Sequence, residues 1–191
     1  MPNVDVAYGF QPARNFADVE LQSCVIPASD GTAAFVGDLV KLHGTGDAET
    51  RFPTVIQAAA GDASIYGVIV GFVPSYDNLN LKYRVASTRR IAMVMPAYQH
   101  ILWRVNASIT IDVDAIGTGY DIVVGSGSTT TGRSAMELDV SATGTTGRTL
   151  RLLDIERTPT NDISASGGAA ETGVNCIVAI VESLFNNGAG T

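Results

Sequence analysis

Short runs of Val, Ile and Leu recur along this chain and are cut at near-regular spacing by Gly-Asp, Asp-Gly, Pro and Asn. The pattern predicts strand, turn, strand, turn, because β-branched runs bounded by turn residues suit pleated backbone. Predicted strands cover residues 21–27, 34–42, 54–59, 65–73, 79–85, 90–95, 101–105, 109–113, 120–124, 149–157 and 174–185. Gly37-Asp38 inside the second run signals a bulge or tight bend. The run IYGVIVGFV is apolar on both faces, which predicts burial on both sides, with Gly67 and Gly71 permitting curvature. Leu79, Leu81, Tyr83 and Val85 alternate strictly with polar residues and predict a half-buried strand. No long stripe of period 3.6 occurs. At most one helical turn is predicted, near residues 112–116 or 134–138.

The fold class expected from this pattern is all-β. A single β-barrel or a jelly-roll-like sandwich fits ten or so short strands with polar turns. Residues 1–20 contain Pro2 and Pro12 and read as an extended N-terminal arm. Residues 21–185 form the β-rich body, and residues 186–191 are a C-terminal tail. Polar, Gly-rich stretches at 125–134, 141–147 and 158–173 read as loops.

Composition narrows the function classes. The chain has 191 residues, 46% hydrophobic and only 16% charged, with a net charge of −7. That length supports one domain with a real core. An acidic chain with few, scattered basic residues lacks the footprint of a nucleic-acid binder. Ten of the twelve basic residues are Arg. Arg suits protein interfaces better than Lys, although base composition of the source genome gives the same bias. Cys24 and Cys176 sit in apolar strand-like runs and read as buried free thiols, with a disulfide as the alternative. The N-terminus lacks the charge and apolar pattern of a signal peptide, and no apolar run is long enough to span a membrane.

Reactive chemistry is sparse. His43 and His100 are the only histidines, and no GxSxG elbow occurs, so no catalytic triad is expected. Neither histidines nor cysteines have metal-ligand spacing. Asp112, Asp114 and Gly117 imitate the start of a calcium loop, but Ile116 and Val123 occupy positions that need acidic or amide ligands. The glycines of 125–132 lack the Lys-Ser/Thr ending of a phosphate loop. Glu137 and Asp139 share a strand face without aromatic neighbours to hold a sugar. Trp103 reads as core or interface. No catalytic, cofactor or metal residue is assigned.

The residues YGFQPAR (8–14), IPASDGTAAFVGDLVKL (26–42), AAAGDASIYGVIVGFVP (58–74), LNLKYRVAST (79–88) and GSGSTTTGRSAMELD (125–139) give the chain a resemblance. Over about residues 2–157 it resembles the capsid decoration, or cement, proteins of tailed bacteriophages. The resemblance implies a non-enzymatic virion protein on the outer capsid surface, assembled in the host cytoplasm. It implies the major capsid protein as partner, and often homotrimers at local three-fold axes, with no cofactor, nucleic acid or membrane. A tail, connector or fibre-associated subunit is the alternative, with a carbohydrate-binding module behind it. Val4, Val6, Tyr8, Phe10, Arg14 and Phe16 are the candidate partner contacts, because the apolar ones have no local core in the predicted arm.

Overall fold

The computed structural model describes residues 6–15, 18–144, 146–158, 161 and 172–186. Eleven strands in chain order make up the described architecture: β1 (Gln11–Asn15), β2 (Gln22–Ile26), β3 (Leu39–Gly46), β4 (Pro53–Gln57), β5 (Ile65–Phe72), β6 (Arg90–Pro96), β7 (Ile101–Asn106), β8 (Gly119–Gly125), β9 (Ala135–Gly144), β10 (Leu150–Ile155) and β11 (Asn175–Ile180). The fold is all-β, as the alternation predicts. Five strands close a barrel in the order β2-β4-β3-β5-β6, and six form a sheet in the order β1-β7-β11-β10-β8-β9. All pairings between these strands are antiparallel except the β2–β4 contact at Val25 and Thr54, which closes the barrel. Among the described residues no helix is long and apolar enough to cross a membrane.

Strand periodicity explains how barrel and sheet share one interior. Val40, Val55, Ile69, Ala92, Val94, Cys24 and Ile26 fill the barrel. Small and β-branched side chains suit so narrow a barrel. Their neighbours Leu39, Ile65 and Val68 point the other way and meet Trp103, Tyr120, Ile122, Met136 and Leu138 of the sheet. This is why β5 is apolar on both faces: one face lines the barrel and the other meets the sheet. Cys24 and Cys176 are both buried free thiols, one in each cluster.

Two glycines are required here for different reasons. Gly37 has φ +99° at the bend before β3, a left-handed conformation that costs little only for glycine. At Gly67 a Cβ would overlap the Met95 carbonyl oxygen and lie 2.7 Å from Val94 Cγ1. Gly71, expected to matter equally, faces open space, at the register shift between Ile69 and Gly71.

Several expectations change. Residues 79–85 are not a strand: only one isolated bridge joins Arg84 to Ala34. Residues 109–113 are not a strand either, and a 3-10 turn occupies Val113–Ala115, capped by the Asp112 carboxylate. The predicted turn at 134–138 is instead the start of β9, where Met136 and Leu138 alternate into the core. Strand β9 continues to Gly144, through part of the stretch read as a loop. The loop 158–173 and the tail lie mostly outside the described residues.

The N-terminal arm is corrected most. Residues 11–15 form β1, paired with β7 at the sheet edge. Pro12 is accommodated because an edge strand needs hydrogen bonds on one side only. Phe10 is 2% exposed and belongs to the core, and its N–H donates to Gly37 O at 2.9 Å. Segment 8–15 therefore has a local core and is part of the body.

A candidate partner interface

The sequence-predicted contact residues scatter in the structure. Val6 is exposed. Tyr8 is half-buried, donates its hydroxyl hydrogen to Asn175 Oδ1, and its ring receives Arg104 at 5.6 Å. Burial pushes the Tyr8 phenol well above its usual range, against the charge of Arg104. Phe10 is unavailable to any partner. Arg14 reaches Asp154 at 3.3 Å on the sheet surface. Val4 and Phe16 lie outside the described residues.

Loop 73–89, between β5 and β6, carries the two most exposed large apolar side chains among the described residues. Tyr76 is fully exposed, at 100%, and Leu79 is 75% exposed, and Val73 and Val85 of the same loop are partly open. Beneath the loop lies a groove of about 540 Å³, lined in part by Val73, Pro74, Leu81, Val85 and Ile91. Single exposed apolar residues are ordinary, whereas a contiguous apolar group marks a contact surface.

Two buried arginines hold this loop in place. Arg84 is fully buried. Its guanidinium donates to Thr88 O at 2.7 Å, to Pro27 O and Asp30 O at 2.7 Å each, and to Thr32 O. The Asp30 carboxylate stands 3.7 Å away. Arg90 donates to Leu81 O at 2.8 Å and to Tyr83 O, and lies 4.9 Å over the Phe72 ring. Burial lowers the pKa of both groups from its usual value, opposed at Arg84 by Asp30. These bonds replace the strand ladder that the alternation of residues 79–85 predicts. The base of the loop is tied to the β3–β4 turn: Arg89 bonds Asp47 at 2.8 Å and Glu49 at 3.2 Å. Together with hydrogen bonds from Thr50, Arg89 holds the Asp47 carboxyl well below the usual carboxylate range. Phe35 stacks on Tyr83 with centroids 5.1 Å apart. A loop fixed at its base would lose less entropy on any association than a free one.

No group of three or more metal-binding side chains gathers among the described residues. His43 is exposed on β3, while His100 stacks on Tyr98 with centroids 5.5 Å apart. The backbone N–H groups of Ser128 and Gly132 bond Arg133 O and Ser128 O, so the glycine-rich loop closes on itself. Gly127 lies against the Phe35 ring. Asp139 accepts from Ser141 N–H at 3.0 Å, and Trp103 is fully buried.

The alternation of residues 79–85 pointed to a half-buried strand and away from an exposed loop. The signal available was two arginines, at 84 and 90, that follow Tyr76 and Leu79 in the chain. Compared with known protein families, curated proteins and solved structures, the chain matches none.

Proposed function

We propose that this chain is a structural virion protein that binds the outer surface of a phage capsid. It stabilises the shell by bridging major capsid protein subunits, and it acts by binding rather than by catalysis. Loop 73–89 carries this reading: Tyr76 and Leu79 stand exposed on a backbone clasped by Arg84 and Arg90. The resemblance of residues 8–14, 26–42, 58–74, 79–88 and 125–139 to decoration proteins supplies the class of partner. A protein that binds only the assembled lattice stabilises it by mass action. Many copies on a repeating lattice add avidity to a modest single contact. Aromatic and apolar anchors at the centre of a contact supply most of its energy.

The test is cryo-electron microscopy of purified particles carrying this chain. Density for an eleven-stranded body on the outer shell, repeated at lattice positions with residues 73–89 against the shell, is the expected result. A dozen copies or fewer at the portal or tail would replace this reading with a tail, connector or fibre-associated role. Absence from the particle would remove the virion reading altogether.

A further inference from the structure

Arg84 and Arg90, the two buried arginines that hold loop 73–89, differ in one respect. Arg84 has the Asp30 carboxylate at 3.7 Å. Arg90 is only 8% exposed, yet no ion pair among the described residues includes it. Burial alone pulls its pKa down, with no acidic group opposing. Its terminal nitrogens donate to the neutral carbonyls of Leu81, Tyr83 and Val73, and its Nε–H is buried without an acceptor. A buried cation without a counter-ion and a buried donor without a partner both cost free energy. An anion brought by a binding partner would recover part of that cost.

Arg90 lines the groove of about 540 Å³ beneath the loop, as do Arg89 and Asp77. Arg89 is already taken by Asp47 and Glu49. Asp77 stands on the exposed part of the loop, and none of the ion pairs among the described residues includes it. Val73, Pro74, Leu81, Val85 and Ile91 supply apolar walls. The groove is thus an apolar trough beside one unanswered positive charge. Its volume lies within the range of about 300–1,000 Å³ that holds small ligands, which suits a few side chains of a peptide segment.

We infer that the groove receives an apolar segment of the shell partner carrying one carboxylate side chain, and that this carboxylate pairs with Arg90. The inference rests on the shell-binding reading and names the chemistry of the partner at that same loop. Charge complementarity selects a carboxylate, because a basic segment would be repelled and a neutral one would leave the guanidinium unanswered. Aliphatic neighbours of the carboxylate cover Val73, Val85 and Ile91 and exclude water. Exclusion of water strengthens the charge pair by lowering the local dielectric. A carboxylate is also a charge-assisted acceptor for guanidinium N–H groups, which a backbone carbonyl is not.

Nitrogen-15 NMR of the full chain tests it, because a buried arginine Nε–H gives a resonance of its own. The probes are two blocked pentapeptides, acetyl-Gly-Leu-Glu-Leu-Gly-amide and its counterpart with Gln in place of Glu. The Glu peptide is expected to bind roughly tenfold more tightly, as one charge-assisted pair allows, and to shift the Arg90 Nε–H signal. Arg90 also clasps the loop, so its own replacement would report on folding. Val85→Glu, at a partly exposed position, instead puts a carboxylate of the chain's own in the groove. This variant keeps the wild-type Tm, loses the preference for the Glu peptide and binds assembled shells roughly tenfold more weakly. Equal binding of the two peptides, binding of neither, or an equal shift of the Arg90 signal by inorganic phosphate overturns the inference. Shell binding that Val85→Glu leaves unchanged removes this inference and leaves the functional reading standing. A preference for the Glu peptide in a chain that binds no shell removes the functional reading and leaves the groove its carboxylate.

Discussion

Replacing Arg84 by Met removes the guanidinium from its buried site while keeping an aliphatic stem of similar length. Four backbone carbonyls, at Pro27, Asp30, Thr32 and Thr88, then lose their donor, and the Asp30 carboxylate loses its cation. Hydrogen bonds to charged groups contribute about 1.5–3 kcal/mol each, but they are not additive because the loop relaxes. Deleting one member of a buried ionic network costs about 3–5 kcal/mol. Taking about 4 kcal/mol, the loss is a large part of a domain stability of about 5–15 kcal/mol. At roughly 2–4 °C per kcal/mol for a chain of this size, Tm falls by roughly 8–16 °C. Arg84→Lys keeps the charge but cannot direct donors to four carbonyls in a plane, so its Tm falls between wild type and Arg84→Met. Thermal unfolding followed by circular dichroism reads the shift, and limited proteolysis reads earlier cleavage within 73–89. A Tm within about 2 °C of wild type, with an unchanged cleavage pattern, would refute the role given to Arg84, since one kcal/mol alone moves Tm that far.

Other expectations rest on single sites. Burial pushes the Asp38 carboxyl up to about 6, against hydrogen bonds from Ser134, the Phe35 N–H and Gln57. The folded state therefore holds this proton more tightly than the unfolded state. Its contribution favours folding fully below about pH 4 and is lost as pH rises through about 6, by about 3 kcal/mol in all. Asp38→Asn should flatten that part of the Tm–pH profile; identical slopes in both proteins between pH 4 and about 7 would contradict the assignment. Gly67→Val should unfold the barrel or lower its Tm sharply, because the Met95 carbonyl and Val94 Cγ1 occupy the space. Gly71→Val, which meets nothing within 4 Å, should leave Tm nearly unchanged; equal losses in both variants would show that curvature, not close approach, sets the requirement.

The barrel and most of the sheet were legible because period-2 alternation and doubly apolar runs have few other solutions. Strand β5 is the clearest case: its two apolar faces meet two different cores. What failed has identifiable causes. The alternation of Leu79, Leu81, Tyr83 and Val85 looks like a strand, but Arg84 occupies a nominally solvent-facing position and is fully buried. Side-chain guanidinium bonds there do the work of a ladder, and no local pattern distinguishes the two. Strand β1 was hidden by Pro12 and by its distance in sequence from its partner β7. Strand β9 was read as a turn and a loop at its two ends, with only Glu137 and Asp139 placed on a strand face, because Ser, Thr and Gly surround Met136 and Leu138. The candidate site was legible only as an expectation of surface contact. Assigning that contact to residues 4–16 overlooked that Phe10 fits the core, and the exposed anchors Tyr76 and Leu79 emerged only once the loop's backbone partners were known.

The most direct test of the central claim is co-sedimentation of this chain with assembled phage shells, comparing wild type with a Tyr76→Ala, Leu79→Ala double variant. Both side chains are exposed, so the variant should keep the wild-type Tm. Loss of two anchors of about 1–2 kcal/mol each lowers affinity by roughly 30-fold or more. Saturable binding of wild type to the outer shell, abolished or strongly weakened in the variant, is the predicted result. Equal occupancy by both proteins would contradict the assignment of shell binding to loop 73–89, and failure of wild type to bind any shell would contradict the function itself.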